Sequence, residues 1–108
     1  DFVKIKKGDT VIDLGSGAGN DCFVARAMVG EEGTVIGIDM TREMIDLARA
    51  NAAKLGFGNV KFRIGEIESL PVTSKKADVV ISNCVLNLVP DKDMAVSEIC
   101  RVLKPGGR

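Results

Sequence analysis

The feature that most constrains the fold is a glycine-rich turn, residues 13–19, with the sequence DLGSGAG. It follows an apolar β-branched run and precedes a helix-length segment that begins near Asn20. A strand that ends in glycines before a helix lets a ligand approach the backbone closely. Apolar runs and helix-length segments keep alternating along the chain. This alternation predicts an α/β fold in which helices sandwich a parallel sheet.

The pattern predicts four strands and three helices. The strands are expected at residues 11–14, 34–39, 60–64 and 77–82, and the helices at about residues 20–29, 42–55 and 91–103. The link 65–76 is too short for a full helix, so a loop with one helical turn is expected. Right-handed crossovers would then give a Rossmann-like sheet of strand order 3-2-1-4. Such a sheet binds its ligand at the carboxyl ends of its strands, where the order reverses.

The composition is that of one small domain, with 108 residues, 45% hydrophobic and 28% charged. Fifteen basic and fifteen acidic residues balance, so no overall field favours nucleic acid or a membrane surface. No apolar run is long enough to span a bilayer, and nothing at the start resembles a signal peptide. Three cysteines are too few for a disulfide scaffold and match no zinc motif, which favours a reducing cytoplasm and no metal site. Both ends look cut, so residues 1–108 are expected to be the truncated core of a larger enzyme.

The spacing of the glycines separates two classes of ligand. The dinucleotide fingerprint requires a third glycine at position 20, where this chain has Asn20. Asp13 would repel a pyrophosphate, but it suits a ligand that carries an ammonium group, either directly or through water. S-adenosylmethionine has an ammonium, a sulfonium and no phosphate, and is therefore the expected cofactor. The predicted contacts in this turn are Asp13, Gly15, Ser16, Gly17 and Gly19.

Two further strand ends carry acidic residues in register with this turn. Asp39 ends the second predicted strand and can accept hydrogen bonds from both ribose hydroxyls. After the third strand, the N–H of Ile67 can meet an adenine ring nitrogen, and Glu66 can accept from the exocyclic amine, with Glu68 as the alternative. The predicted contacts at these two strand ends are Asp39, Met40, Gly65, Glu66 and Ile67.

These motifs resemble the seven-strand class I methyltransferases, as does the segment EICRVLKPGG at residues 98–107. The segments GNDC at 19–22 and ISNCVLNL at 81–88 more closely resemble the arsenite methyltransferases. This resemblance implies that Cys22 and Cys84 are arsenic-binding thiols and that the backbone carbonyl of Asn83 faces the methionine end of the cofactor. Two thiols do not complete a three-sulfur site, so glutathione, another small thiol or a residue elsewhere is expected to supply the third ligand.

The positions of the three cysteines predict different environments. Cys22 opens the first helix, whose N-terminus favours a thiolate, and Cys84 follows the fourth strand, so both are expected at the carboxyl edge. Cys100 lies on an apolar stripe in the last helix and is expected in the core. Thiolates suit a soft centre such as trivalent arsenic. Sulfur-bound arsenic keeps a lone pair, so the reaction needs no general base, consistent with a chain that contains no histidine.

Other functions remain open at this stage. A methyltransferase for another small nucleophile, such as a quinone precursor, would share every cofactor residue and differ in the cysteines. An NAD-linked oxidoreductase is disfavoured by Asp13 and Asn20, and an inactive methyltransferase-like binding module is a further alternative. The expected partner is a small molecule or metalloid. Nucleic acid is not expected, because the lysine pairs at 6–7 and 75–76 are short, and the sequence leaves the oligomeric state undetermined.

Overall fold

The computed structural model describes residues 4–82 and 89–107, which form one parallel sheet with three helices. The strands are β1 (Thr10–Leu14), β2 (Thr34–Asp39), β3 (Val60–Ile64) and β4 (Val79–Ser82), and the helices are α1 (Asn20–Val29), α2 (Arg42–Leu55) and α3 (Lys92–Val102). The spatial order is β3-β2-β1-β4, and all three strand pairs are parallel. The predicted fold class and strand order are confirmed.

The central strand β1 is buried on both faces because alternate side chains enter two different cores. Val11 joins a cluster formed with α1 and α2 on one face. Ile12 joins a second cluster on the opposite face, formed with α3 and the 65–76 connection. Since successive residues of a strand point to opposite faces, Asp13 is directed to the same face as Val11, beneath α1. This alternation places a carboxyl group inside the α1 core.

The helix ends follow local chemistry. Gly19 precedes α1 with a φ of 97°, and a Cβ there would meet the Phe62 ring at 2.9 Å. α2 ends at Gly56 in the left-handed conformation, as predicted for its stop residue. Asp91 caps α3 by accepting from the Met94 amide at 3.0 Å. The described helices contain 10, 14 and 11 residues, and none is long and apolar enough to cross a membrane.

Two local predictions about the chain between β3 and α3 are wrong. The 65–76 connection contains no helical turn. Instead, the Ser69 amide donates to the Glu66 carbonyl, and a short antiparallel bridge joins these residues. β4 begins at Val79 rather than at residue 77, while Ala77 pairs with Leu103, just beyond α3, in an isolated parallel bridge.

The expectation that Cys100 is a core residue is also wrong. α3 buries Ala95 and Val102, while Cys100 is exposed. Val96, which lies about one helical turn before Cys100, is 51% exposed. The buried face of α3 is therefore narrower than the apolar pattern of its sequence.

Candidate functional site

A cleft of about 430 Å³ lies at the carboxyl ends of β1, β2 and β3, within the usual size range of small-molecule sites. Six predicted cofactor residues line it: Gly15, Asp39, Met40, Gly65, Glu66 and Ile67. Five other residues complete the lining: Ile38, Thr41, Glu68, Val89 and Pro90. Thr41 could have been inferred from its position just after Asp39. Val89 and Pro90 carried no sequence signal, because only the folded chain brings them to this edge.

The glycine turn is held by the neighbouring strand. The amides of Gly15 and Ser16 both donate to the Ile38 carbonyl, at 2.8 and 2.9 Å. The Gly17 amide donates to Oδ2 of Asp39 at 2.9 Å. A phosphate-binding turn presents such N–H groups to its ligand. Here these N–H groups bond to β2, and a carboxylate stands among them, which argues against a pyrophosphate site.

Asp39 connects the glycine turn to the start of α2. Its Oδ2 accepts from Gly17, and its Oδ1 accepts from the Thr41 amide at 2.9 Å. A carboxylate has about four acceptor positions. Two therefore remain for donors on a ligand in the cleft, such as the two hydroxyls of a ribose. The backbone bonds also fix the orientation of the carboxylate before any ligand arrives.

Ser16 carries the one buried side-chain polar atom, among the residues that the structure describes, that has no hydrogen-bond partner. Its hydroxyl oxygen is buried and has no hydrogen-bond partner within residues 4–82 and 89–107. A buried hydroxyl without a partner costs about 1–3 kcal/mol. A polar ligand group reaching the turn would remove that cost, so Ser16 fits a role in cofactor binding. Asp13, Ser16, Gly17 and Gly19 do not line the described cleft, although the turn adjoins it.

Asp13 and Cys22 form a buried pair beneath the turn. The Cys22 thiol donates to Oδ2 of Asp13 at 3.2 Å, and neither residue is more than 2% exposed. Burial raises the pKa of the Asp13 carboxyl from 3.8 to about 7, against the lowering effect of the Cys22 hydrogen bond. Burial, and then the negative charge of Asp13, raise the pKa of the Cys22 thiol well above its usual range.

This environment differs from the one expected for Cys22, whose role as an arsenic-binding thiol stays a prediction. The start of α1 was expected to stabilise a thiolate at the carboxyl edge of the sheet. The structure instead places Cys22 in the core between α1 and the sheet, where desolvation outweighs the helix dipole and keeps the sulfur protonated.

Asn83 and Cys84 lie outside the described residues, so their predicted roles remain predictions. Within residues 4–82 and 89–107, no three His, Cys, Asp or Glu side chains form a group that could hold a metal ion.

The parallel sheet, its strand order and the cleft at its carboxyl edge define a Rossmann-like domain. Residues 5–108 match the family model described as a methyltransferase domain. The chain therefore belongs to the family of S-adenosylmethionine-dependent methyltransferases.

Three relatives illustrate the range of similarity. An arsenite methyltransferase of Halobacterium salinarum is 56% identical over 99% of this chain and 27% of its own length. The crystal structure of CrArsM, an arsenic(III) S-adenosylmethionine methyltransferase from Chlamydomonas reinhardtii, has a TM-score of 0.87 and 45% identity, over 95% of this chain and 38% of that one. A ubiquinone/menaquinone biosynthesis C-methyltransferase, UbiE, of Francisella tularensis is 36% identical over 96% of this chain and 42% of its own length. The chain thus spans between about a quarter and two fifths of these relatives.

Proposed function

We propose that the protein transfers methyl groups from S-adenosylmethionine to trivalent arsenic held by thiolates. The support for arsenic is the difference in identity: 56% to an arsenite methyltransferase against 36% to a quinone C-methyltransferase, over nearly the same residues. The support for the cofactor is the cleft, in which an oriented carboxylate and an acidic turn follow two adjacent strands. A reducing cytoplasm would suit this chemistry, because it keeps the thiols reduced.

The cofactor roles follow from the geometry of the cleft. Asp39 would accept from the ribose hydroxyls with its two remaining acceptor positions. Glu66 would accept from the exocyclic amine of adenine, beside Ile67. Asp13 would attract the ammonium group, directly or through water, and the Ser16 hydroxyl would bond to a polar group of the same end.

The acceptor side depends on Cys84. S-adenosylmethionine supplies a methyl group already activated by the positive sulfonium. The chain would therefore need only to hold arsenic in line with that methyl group and to exclude water. Cys84 is proposed as an arsenic thiolate, whereas the burial of Cys22 gives no support for such a role. Glutathione or another thiol, or a further residue of the protein, would complete the set of sulfur ligands.

A methyltransferase acting on a quinone precursor is the second candidate. The 36% identity to UbiE over 96% of the chain favours it, and its cofactor residues would be the same. The acceptor alone separates the two candidates.

The test is methyl transfer by the intact protein from radiolabelled S-adenosylmethionine, with arsenite plus glutathione or a reduced quinone precursor as acceptor. We expect methylated arsenic as the product. Cys84→Ser should reduce its rate by about 100-fold or more, because a hydroxyl is a poor ligand for a soft centre.

The matched control is Cys100→Ser, which should retain the full rate because Cys100 lies on the exposed side of α3, away from the cleft. The wild type, Cys84→Ser and Cys100→Ser should all bind S-adenosylmethionine with the same affinity. Methylation of the quinone precursor without methylation of arsenite would overturn the proposal, as would full arsenite turnover by Cys84→Ser.

A further inference from the structure

The buried pair formed by Asp13 and Cys22 gives Cys22 a role other than binding arsenic. We propose that Cys22 is a positioning residue for the cofactor, whose thiol holds the Asp13 carboxylate in the orientation and charge state that receive the cofactor's ammonium group. The inference rests on the proposed cofactor site, in which Asp13 meets that group.

The first support is the contact itself. The Cys22 thiol donates to Oδ2 of Asp13 at 3.2 Å, and both residues lie in the core beneath the glycine turn. A thiol is a weak donor, but a carboxylate removed from water requires donors, and one bond to a charged group stabilises it more than a neutral bond would. Asp13 lies two residues before the cleft residue Gly15, so its carboxyl group is held close to the start of the turn.

The second support is that Gly37, which has no side chain, leaves room for the Cys22 sulfur beside the Phe62 ring. Gly37 pairs with Asp13 across β1 and β2. A Cβ at Gly37 would lie 2.9 Å from the Cys22 sulfur and 2.7 Å from the Phe62 ring. A side chain at residue 37 would therefore crowd both the Phe62 ring and the sulfur that donates to Asp13.

The third support is the chemistry of the sulfur. The thiolate is the form that binds soft centres, and burial together with the charge of Asp13 raises the pKa of the Cys22 thiol. A protonated sulfur in the core is a poor ligand for arsenic but a usable donor. The hydrogen bond from Cys22 in turn lowers the pKa of Asp13, against burial and the charges of Asp21 and Asp39, which raise it. Without Cys22, less of the Asp13 carboxylate would be charged at neutral pH.

The test measures S-adenosylmethionine affinity of the intact protein by calorimetry between pH 5.5 and 8.5. Cys22→Ala and Cys22→Val both remove the donor, one leaving a cavity and the other filling the space. Each should weaken binding about tenfold at pH 7, the order expected for one bond to a charged group, and should move the midpoint of the affinity curve to higher pH. Cys22→Ser keeps a donor, and Cys100→Ala lies on the exposed side of α3. Both should keep the wild-type midpoint.

A general loss of packing would weaken binding equally at every pH, so an unchanged midpoint in both donor-free variants would overturn the inference. A Cys22→Ser variant that behaves like Cys22→Ala would also overturn it. Arsenite affinity is the second measurement. If Cys22→Ser keeps its S-adenosylmethionine affinity but loses arsenite binding, Cys22 belongs to the acceptor site and the inference fails. Wild-type cofactor affinity in Asp13→Asn would instead contradict the proposed role of Asp13 itself.

Discussion

Cys22 in α1 and Cys100 in α3 have environments opposite to those that their local sequences predict. Cys22 was expected as a thiolate at the carboxyl edge of the sheet and is fully buried, while Cys100 was expected in the core and is exposed. For Cys22, two effects compete. A helix N-terminus stabilises a negative charge by about 0.3–1 kcal/mol, whereas removing an ion from water costs several kcal/mol. The larger effect decides, and the sulfur stays protonated.

For Cys100, the angle around the helix decides. Ala95 and Val102 are seven residues apart, about two turns, and they share the buried side of α3. Cys100 is five residues beyond Ala95 and therefore lies about 140° away around the axis. An apolar residue in an amphipathic pattern is buried only if its angle matches the face that meets the sheet.

The largest expected difference between the two cysteines is their reactivity. In a Cys84→Ser background, a thiol reagent at neutral pH should modify Cys100 about 10⁴-fold faster than Cys22. The sulfur of Cys22 becomes accessible to the reagent only after the core opens. A ratio of 10⁴ corresponds to an opening free energy of roughly 5.5 kcal/mol, which is at the low end of domain stabilities. Peptide mass spectrometry over a time course gives both rates from one sample. Rates within tenfold of each other would show that Cys22 is accessible in solution.

The pair formed by Cys22 and Asp13 predicts a pH dependence of stability. Because the pKa of Asp13 is raised from 3.8 to about 7, the folded protein retains a proton that the unfolded chain releases between these values. The contribution of Asp13 to the free energy of unfolding therefore falls as the pH rises from about 3.8 to about 7. The total is on the order of 4 kcal/mol at about 1.4 kcal/mol per pH unit.

Asp13→Asn removes this titration and keeps an oxygen that can accept from Cys22. Urea denaturation of the intact protein at pH 4 and pH 8 should show the variant gaining stability relative to wild type as pH rises. Parallel curves for the two proteins would mean that Asp13 is charged throughout and that burial does not control it.

The smallest expected effect tests the space that holds the Cys22 sulfur. Gly37→Ala would place a methyl group 2.9 Å from that sulfur and 2.7 Å from the Phe62 ring. Overpacking of this kind should lower the free energy of unfolding by about 2 kcal/mol. Gly58→Ala is the matched control, because a Cβ there meets nothing within 4 Å. Equal stability of the two variants would show that the core tolerates displacement of the Phe62 ring and the Cys22 sulfur.

The sequence alone determined the fold class, the strand order and the edge of the sheet that carries the cleft. Strand alternation, helix spacing and the glycine turn are local signals, and the bounds of α1, α2, β2 and β3 match their predictions. Asp39 and Glu66 were found because the carboxyl ends of parallel strands meet at one edge.

Only the tertiary structure decided the environment of each side chain. It joined Asp39 to Gly17, buried the Ser16 hydroxyl and paired Cys22 with Asp13. Gly17 and Asp39 are 22 residues apart in the sequence, and Asp13 and Cys22 are 9 residues apart. The Ser16 hydroxyl has no partner among the described residues. Burial and hydrogen bonding depend on which separate segments pack together, and that information is spread over the whole chain. For this reason, the position of Cys22 at the start of a helix could be predicted from the sequence, but the burial that keeps its thiol protonated could not.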